Sequence, residues 1–183
     1  MGKICVFFAT GFEEIEALTV VDLLRRQKIE TDMISVTGDK TVTGSHGIRV
    51  VTDRLLSELD FETADMIVLP GGLAGTNNLE ACEELMQQVD AFAKAEKPVC
   101  AICAAPSILG HRGILKGKRA IAYPGFESHL EGAEIVSAPV VTDGNLITGR
   151  GMGCAIDFGL AIVEYLKGKE AGRELAEKIV YQK

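Results

Sequence analysis

One stretch decides the fold of this chain: residues 97–109, which read Lys97-Pro98-Val99-Cys100-Ala101-Ile102-Cys103-Ala104-Ala105-Pro106-Ser107-Ile108-Leu109. An apolar, β-prone tetrapeptide leads into small residues and then, without a linker, into a helical pattern, so Cys103 is predicted at a sharp strand-to-helix turn. Such a turn is typical of a nucleophile elbow, where small neighbours such as Ala104 and Ala105 let the backbone fold tightly. The alternative is a buried, inert thiol.

The predicted surroundings of Cys103 favour its ionised form. The start of a helix presents free N–H groups, which stabilise a thiolate over a thiol. We therefore expect the pKa of Cys103 to lie below the value of about 8.5 for an ordinary cysteine. Since oxidation follows thiolate character and exposure, we also expect Cys103 to be oxidised before the other cysteines and to advance to a sulfinate.

Composition indicates one ordinary globular domain. The chain has 183 residues, enough for one full core and too few for two ordinary domains, so we predict a single domain over residues 1–183. Hydrophobic residues make up 47% and charged residues 25%, which excludes a disordered or fibrous chain. The net charge of -7 argues against nucleic acid or an anionic membrane surface as a partner, because both require a basic patch.

The cysteines and the amino-terminal sequence bear on the compartment. Five cysteines are an odd number and are scattered, which is not the pattern of a disulfide framework. The sequence opens without a charged-then-apolar signal segment, and no apolar run approaches the roughly 18 residues of a membrane span. We therefore expect a cytoplasmic protein with no membrane partner. Four cysteines are expected to be core thiols: Cys5, Cys82, Cys100 and Cys154.

Apolar runs alternate with helical patterns along the chain. Strands are predicted over residues 4–9, 31–36, 66–69, 99–102, 119–122 and 146–148, with a turn-rich excursion or hairpin ending near residue 51. Helices are predicted over residues 13–28, 79–95, 155–166 and 170–180. Continuous apolar strands are typical of a parallel sheet covered on both faces, so the alternation predicts an α/β fold with a mostly parallel sheet.

Three candidates follow parallel strands and should meet at the carboxyl edge of the sheet: Glu16, the pair Gly71-Gly72, and Cys103. The N–H groups of Gly72 and Ala104 are predicted to form an oxyanion hole, because glycine lets a backbone donor approach a reacting oxygen. Glu16 is expected to point inward because apolar residues flank it. It would stay protonated and donate a hydrogen bond to the thiolate, since two anions cannot cheaply share one site.

Each of these features also has an ordinary structural explanation. The glycine pair is equally typical of a tight turn that needs positive φ. Glu16, with Glu13 and Glu14, is equally typical of the solvated acidic start of a helix.

Other patterns fall short of known motifs. Cys100-x-x-Cys103 has redox or metal spacing, but Cys100 lies within a predicted strand and no second pair completes a zinc site. Gly149–Gly153 lacks the G-x-G-x-x-G spacing of a dinucleotide turn, and Gly113–Lys118 is one residue short of a P-loop. We therefore predict no cofactor and no metal.

Several motifs, in order along the chain, resemble one known family. They are Gly11–Glu16, Leu69–Gly72, Ala101–Ala104, and Thr148–Gly151 leading into Leu160–Glu164. Together they resemble the ThiJ/PfpI superfamily, and within it the branch of the Parkinsonism-associated protein deglycase and its bacterial relatives. The resemblance covers nearly the whole chain. It implies a flavodoxin-like three-layer α/β/α sandwich, usually a homodimer.

The resemblance also implies roles for the site residues. Cys103 would be the oxidisable nucleophile, Glu16 its protonated partner, and Gly72 with Ala104 the oxyanion donors. The family's activities include glyoxalase and deglycase chemistry on methylglyoxal and its early adducts, and a chaperone or oxidative-stress role. The implied partners are small aldehydes or glycated thiol and amine adducts.

At three positions the chain departs from the family pattern. Tyr123 precedes Pro124 where many members carry a histidine, and a tyrosine with a pKa of about 10 is no general base near neutral pH. Ala104 stands where the protease and glyoxalase-like branches have a histidine, which makes peptidase chemistry improbable. His46 stands where closer relatives have an arginine near the site and the dimer interface.

Two functional hypotheses follow. The first is a thiol enzyme in which Cys103 adds to a carbonyl; the second is a non-catalytic redox sensor or redox-regulated chaperone that uses the same oxidisable cysteine. A glutamine-amidotransferase-like domain is disfavoured, because none of the three histidines is placed by sequence next to Cys103.

Overall fold

The computed structural model describes residues 2–181. The strands are β1 (Lys3–Phe8), β2 (Thr31–Ser35), β3 (Thr41–Thr43), β4 (Arg49–Val51), β5 (Arg54–Leu55), β6 (Ala64–Leu69), β7 (Val99–Ile102), β8 (Arg119–Ala120), β9 (Glu134–Ile135), β10 (Val140–Asp143) and β11 (Leu146–Gly149). The α-helices are α1 (Glu14–Arg26), α2 (Leu73–Glu80), α3 (Glu83–Lys94), α4 (Pro106–His111), α5 (Ala155–Lys167) and α6 (Lys169–Lys178).

The central sheet has seven strands in the order β10-β11-β7-β6-β1-β2-β5. Neighbouring strands are parallel except for β10 and β11, which pair antiparallel at one edge. The predicted α/β fold with a mostly parallel sheet is confirmed. Adjacent strands β1, β6 and β7 bring the candidate site residues to one edge, because each candidate follows one of these strands.

Both faces of the sheet are covered. Along β1, Cys5 and Phe7 face a core built with α2, α3 and α4, whereas Ile4, Val6 and Phe8 face a core built with α1, α5 and α6. Alternate side chains of one strand therefore enter two different apolar layers, which explains why its sequence is apolar without interruption. This is the three-layer α/β/α sandwich expected from the sequence.

Two elements differ from their prediction. The helix predicted over residues 79–95 is α3, which begins at Glu83 because Cys82 has an extended backbone (φ -81°, ψ 93°). Leu79 and Glu80 instead end the separate helix α2, most of which was not predicted. The strand predicted over residues 119–122 is only the two-residue β8, which pairs with β9 outside the central sheet. The hairpin predicted before residue 52 is present as β3 and β4, which pair antiparallel.

Within residues 2–181, no helix combines the length and the apolar character needed to cross a bilayer.

Candidate active site at the carboxyl edge of the sheet

Cys103 lies in the turn between β7 and α4. Its φ of 64° is in the left-handed region, which a non-glycine residue adopts only where the surrounding structure holds it. Its N–H donates to the carbonyl of Gly149 (2.9 Å), and its own carbonyl accepts from the N–H of Tyr123 (2.8 Å). The backbone is thus fixed from two sides in the sharp turn predicted from the sequence, and Tyr123 lies next to it.

Glu16 reaches Cys103 from the first turn of α1. Its side chain is buried, with only 1% of the residue exposed. Oε2 accepts a hydrogen bond from the N–H of Gly71 (2.9 Å), and the carboxyl group shares a hydrogen bond with the thiol of Cys103. Oε2 of Glu13 caps α1 by accepting the N–H of Glu16 (2.7 Å), which fixes the position of that helix turn.

The glycine pair lets these groups approach closely. A Cβ on Gly71 would lie 2.6 Å from the Cβ of Cys103 and 2.6 Å from Oε2 of Glu16, so any other residue there would displace one of them. Gly72 has a φ of 84°, and a Cβ on it would lie 2.5 Å from the carbonyl oxygen of Gly11. Gly71 and Gly72 therefore form a tight turn with positive φ at Gly72, and they also let the backbone approach the site closely. The sequence alone had left these two explanations as alternatives.

The two predicted oxyanion donors face the sulfur of Cys103. The backbone N–H groups of Gly72 and Ala104 act as hydrogen-bond donors to that thiol, and both lower its pKa. They converge on one atom from two different loops. An oxyanion next to the sulfur, or an oxygen bonded to an oxidised sulfur, would accept hydrogen bonds from the same two N–H groups.

The ionisation of Glu16 and that of Cys103 oppose each other, because the two groups share one buried site. Burial raises the pKa of Glu16 to about 7. Burial, and next to it the negative charge of Glu16, raise the pKa of Cys103 to about 12. The expectation of a low pKa for Cys103 is therefore wrong as long as Glu16 is charged, because burial and the neighbouring carboxylate outweigh the N–H donors. At neutral pH at most one of the two groups is ionised, and a thiolate requires that Glu16 hold the proton.

A neighbouring acid has a role that the sequence did not indicate. Glu14 is 4% exposed, not solvated. Its carboxylate accepts from the N–H of His46 (2.7 Å), from Oγ of Ser45 (3.0 Å), and lies 2.9 Å from Nδ1 of His46. Although burial alone would raise it, hydrogen bonds from His46 hold the pKa of Glu14 at about 2, and Glu14 in turn raises the pKa of His46.

Glu14 thereby ties the loop between β3 and β4 to the start of α1. Ligand atoms of Glu13, Glu14 and His46 lie within 4.8 Å of one another, close enough to consider a metal ion. Both oxygens of Glu14 already accept hydrogen bonds, so Glu14 and His46 serve to hold the loop against the start of α1. No local signal could have revealed it, because the partners lie 32 positions apart in the chain.

The remaining thiols are free within residues 2–181. Cys5 and Cys100 are buried in strands, as expected for core thiols, and burial raises the pKa of both. Cys82 and Cys154 are half-buried, so neither is the fully buried core thiol that was predicted, although Cys82 packs against the core. Cys82 is the N-cap residue before α3, and Cys154 ends a short 3-10 turn (Met152–Cys154); at these helix ends part of each residue stays accessible.

Comparison with known proteins identifies the family of this chain. The sequence profile of the DJ-1/PfpI family matches residues 2–165. The chain belongs to the DJ-1/PfpI family. Protein DJ-1 homolog B of Arabidopsis thaliana is 39% identical over 176 residues, which are 96% of this chain. The chain spans 40% of the length of that relative and 45% of Arabidopsis DJ-1 homolog A.

Two further matches cover at least four fifths of both chains. A deglycase of Pyrococcus horikoshii is 32% identical over 150 residues, covering 81% of this chain and 89% of the deglycase. A crystal structure of a cysteine-to-alanine mutant of a DJ-1 superfamily protein from Salmonella typhimurium has a TM-score of 0.93 and 38% identity over the full length of both chains. The flavodoxin-like fold expected from the sequence is thus shown for this member of the DJ-1/PfpI family.

Proposed function

We propose that this protein is a cysteine-dependent enzyme of carbonyl and oxidative stress, with deglycase or glyoxalase chemistry on methylglyoxal or its early adducts. The observation that carries the proposal is the meeting of one thiol, one carboxyl group of raised pKa and two convergent N–H donors at the edge of the sheet. The similarity to a deglycase supports the choice of substrate class.

In the proposed reaction, the thiolate of Cys103 adds to the carbonyl carbon of the aldehyde. The C–S bond forms as the carbonyl π electrons move to oxygen, and the resulting oxyanion accepts hydrogen bonds from the N–H groups of Gly72 and Ala104. Glu16, which holds the proton while Cys103 is a thiolate, transfers it to that oxygen. Oε1 of Glu16 is buried without a hydrogen-bond partner among residues 2–181, so it is available for this transfer.

Glu16 is suited to this proton transfer by its pKa of about 7. An acid that titrates near the working pH can both give and take a proton at useful rates. Burial produces this property, since an exposed glutamic acid would be ionised at neutral pH.

The second candidate, a redox sensor or redox-regulated chaperone, is favoured by one observation. Tyr123 borders the elbow, and no histidine within residues 2–181 is hydrogen-bonded to Cys103 or Glu16. Turnover benefits from a general base, whereas capture of peroxide needs only a reachable thiolate. An oxidised sulfur would be held by the same N–H groups of Gly72 and Ala104.

Assembly and location also belong to the proposal. We expect a homodimer in the cytoplasm, with a small aldehyde or a glycated thiol or amine as substrate. Ile15 and Ile48 are exposed and lie on the two segments that Glu14 joins. A second copy of the chain would remove these apolar side chains from water in a dimer.

The test is a steady-state assay against methylglyoxal. We expect Cys103→Ser to abolish turnover and Glu16→Gln to lower it by about a hundredfold, because the proton transfer is lost. Cys154→Ser, which removes another half-buried thiol, is the matched control and should retain the full rate.

Two outcomes would contradict the enzymatic proposal. One is turnover that survives in Cys103→Ser. The other is an inactive wild-type protein whose Cys103 is nevertheless the first thiol to be oxidised by peroxide, which would establish the redox alternative instead.

A further inference from the structure

Three side chains form a chain of hydrogen bonds that is separate from the elbow. Glu80 ends α2, His111 ends α4, and His129 ends the 3-10 turn Glu127–His129. Oε1 of Glu80 lies 2.7 Å from Nδ1 of His111, and Nε2 of His111 lies 3.0 Å from Nδ1 of His129. Three distant segments thus converge, and the proposed function uses none of these side chains.

The contact with Glu80 determines where His111 carries its proton. A carboxylate only accepts, so a neutral His111 holds its proton on Nδ1 and presents the lone pair of Nε2 to His129. A carboxylate behind a histidine is the usual arrangement around a metal-binding imidazole, because it fixes the ring and makes the other nitrogen more basic. Glu80 therefore prepares His111 as a ligand.

We propose that Nε2 of His111 and Nδ1 of His129 bind one divalent ion of the zinc, nickel or copper class, with Glu80 as a positioning residue. Imidazole nitrogen is a preferred ligand for these metals. Two bonds of about 2.0–2.1 Å to one ion hold the nitrogens roughly 3 Å apart when they occupy adjacent coordination positions. The observed separation of 3.0 Å meets this requirement.

Binding requires that the hydrogen bond between the two rings opens and that one proton shifts within a ring. In the absence of metal, Nδ1 of His129 donates to Nε2 of His111; when the ion binds, that proton moves to Nε2 of His129 and both facing lone pairs become ligands. Neither ring loses its proton to solvent. The side chain of His111 is 34% exposed, so an ion and the water molecules that complete its coordination can reach the site.

The alternative cluster of Glu13, Glu14 and His46 is less suited to a metal. Its buried carboxylate is already satisfied by donors from the loop, and an ion would have to break those hydrogen bonds. At the proposed site, by contrast, Glu80 stays in place and only the contact between the two rings opens. The chain has three histidines in all, so the two possibilities can be separated directly.

The experiment is a titration of the wild-type protein with Zn²⁺, followed by NMR of the imidazole rings. We expect one zinc per chain and shifts of the His111 and His129 resonances, with His46 unchanged. Binding of zinc by cysteines does not affect this reading, because the signal comes from the rings. Cys103→Ser should bind equally well, which separates this proposal from the proposed function.

Variants then test each role. His129→Gln should abolish the zinc-dependent shift of His111, and Glu80→Gln should weaken binding about tenfold while leaving it measurable. His46→Gln is the matched control and should bind as the wild type does. The proposal is overturned by rings of His111 and His129 that do not respond to millimolar zinc, by a response confined to His46, or by undiminished affinity in Glu80→Gln.

Discussion

The proton shared by Cys103 and Glu16 is the central feature at the scale of single residues. Below a pH of about 7 the pair holds two protons, and above it one is lost. The remaining proton has two positions: on the thiol, where it leaves Glu16 charged, or on the carboxyl group, where it leaves a thiolate facing the N–H groups of Gly72 and Ala104. Only the second position is reactive, so the rate of alkylation measures its population.

We expect alkylation by iodoacetamide to rise as the pH passes through about 7, the value of Glu16. Two variants then separate charge from hydrogen bonding. Glu16→Gln removes the charge and keeps a donor for the thiolate, whereas Glu16→Leu removes both. The apparent pKa of Cys103 should be lower in Glu16→Gln than in Glu16→Leu by about one unit, the equivalent of one hydrogen bond to a charged group.

Equal values in the two variants would show that position 16 gives no hydrogen bond to the sulfur. A wild-type protein that is alkylated only well above pH 9 would show that the shared proton stays on Cys103. Cys154→Ser serves as the control, because its alkylation profile should reproduce that of the wild type.

The sequence predicted the positions of Glu16 and Cys103 because both follow from the order of strands along the chain. Glu16 and Cys103 each follow a central strand, and parallel strands end at the same edge, so their meeting was predictable. The balance of charge was not, because it depends on how completely packing excludes water from both groups. The contact of Glu14 with His46 was missed for a related reason: it joins a helix to a loop whose position only the tertiary structure determines.

At the scale of elements, the start of α3 is incompletely capped. Cys82 is its N-cap residue, and its side chain makes no capping hydrogen bond. Serine at this position can accept a backbone N–H of the first turn, so Cys82→Ser should be more stable than Cys82→Ala by about 1 kcal/mol. Both variants lose the packing of the sulfur against the core, which makes them a matched pair.

Urea unfolding monitored by circular dichroism would measure this difference as a shift in midpoint. If Cys82→Ser were no more stable than Cys82→Ala, a capping role of this position would be wrong.

The same break shows what patterns of apolar residues can and cannot predict. Apolar spacing continues from the end of α2 into α3, since Leu79, Cys82 and Leu85 all face the same core, and it therefore placed the start of the predicted helix at Leu79 instead of Glu83. The better signal was the pair Glu83 and Glu84, because acids concentrate in the first turn of a helix. Both helices bury apolar side chains in the same core, so the apolar spacing continues across the end of one helix and the start of the next. The interruption itself is seen in the extended backbone of Cys82.

At the scale of the whole molecule, the layer structure was predictable because long apolar strands leave few alternatives. A strand such as β1 buries every residue from Ile4 onward, and only helices on both faces of a parallel sheet provide such burial. The short β8 and β9 were not predictable in the same way, since two-residue strands carry almost no pattern.

The candidate site should also affect the stability of the whole protein as a function of pH. The folded protein raises the pKa of Glu16 to about 7, above the value of about 4.3 for an exposed glutamic acid. The folded state therefore binds the proton more tightly, and this contribution to stability is fully present below about pH 4 and is lost as the pH rises through 7. At pH 8 the fold must hold a buried charge.

We therefore expect Glu16→Gln, which keeps an acceptor for the N–H of Gly71 but cannot ionise, to be more stable than the wild type at pH 8. The gain should be up to about 3 kcal/mol, equivalent to several degrees in the midpoint of thermal unfolding, and should largely vanish at pH 5. Glu84→Gln, which removes an exposed carboxylate, should show no such difference between the two pH values. An equal effect of Glu16→Gln at pH 5 and pH 8 would show that Glu16 does not titrate within this range, and the proton transfer assigned to it would then have no basis.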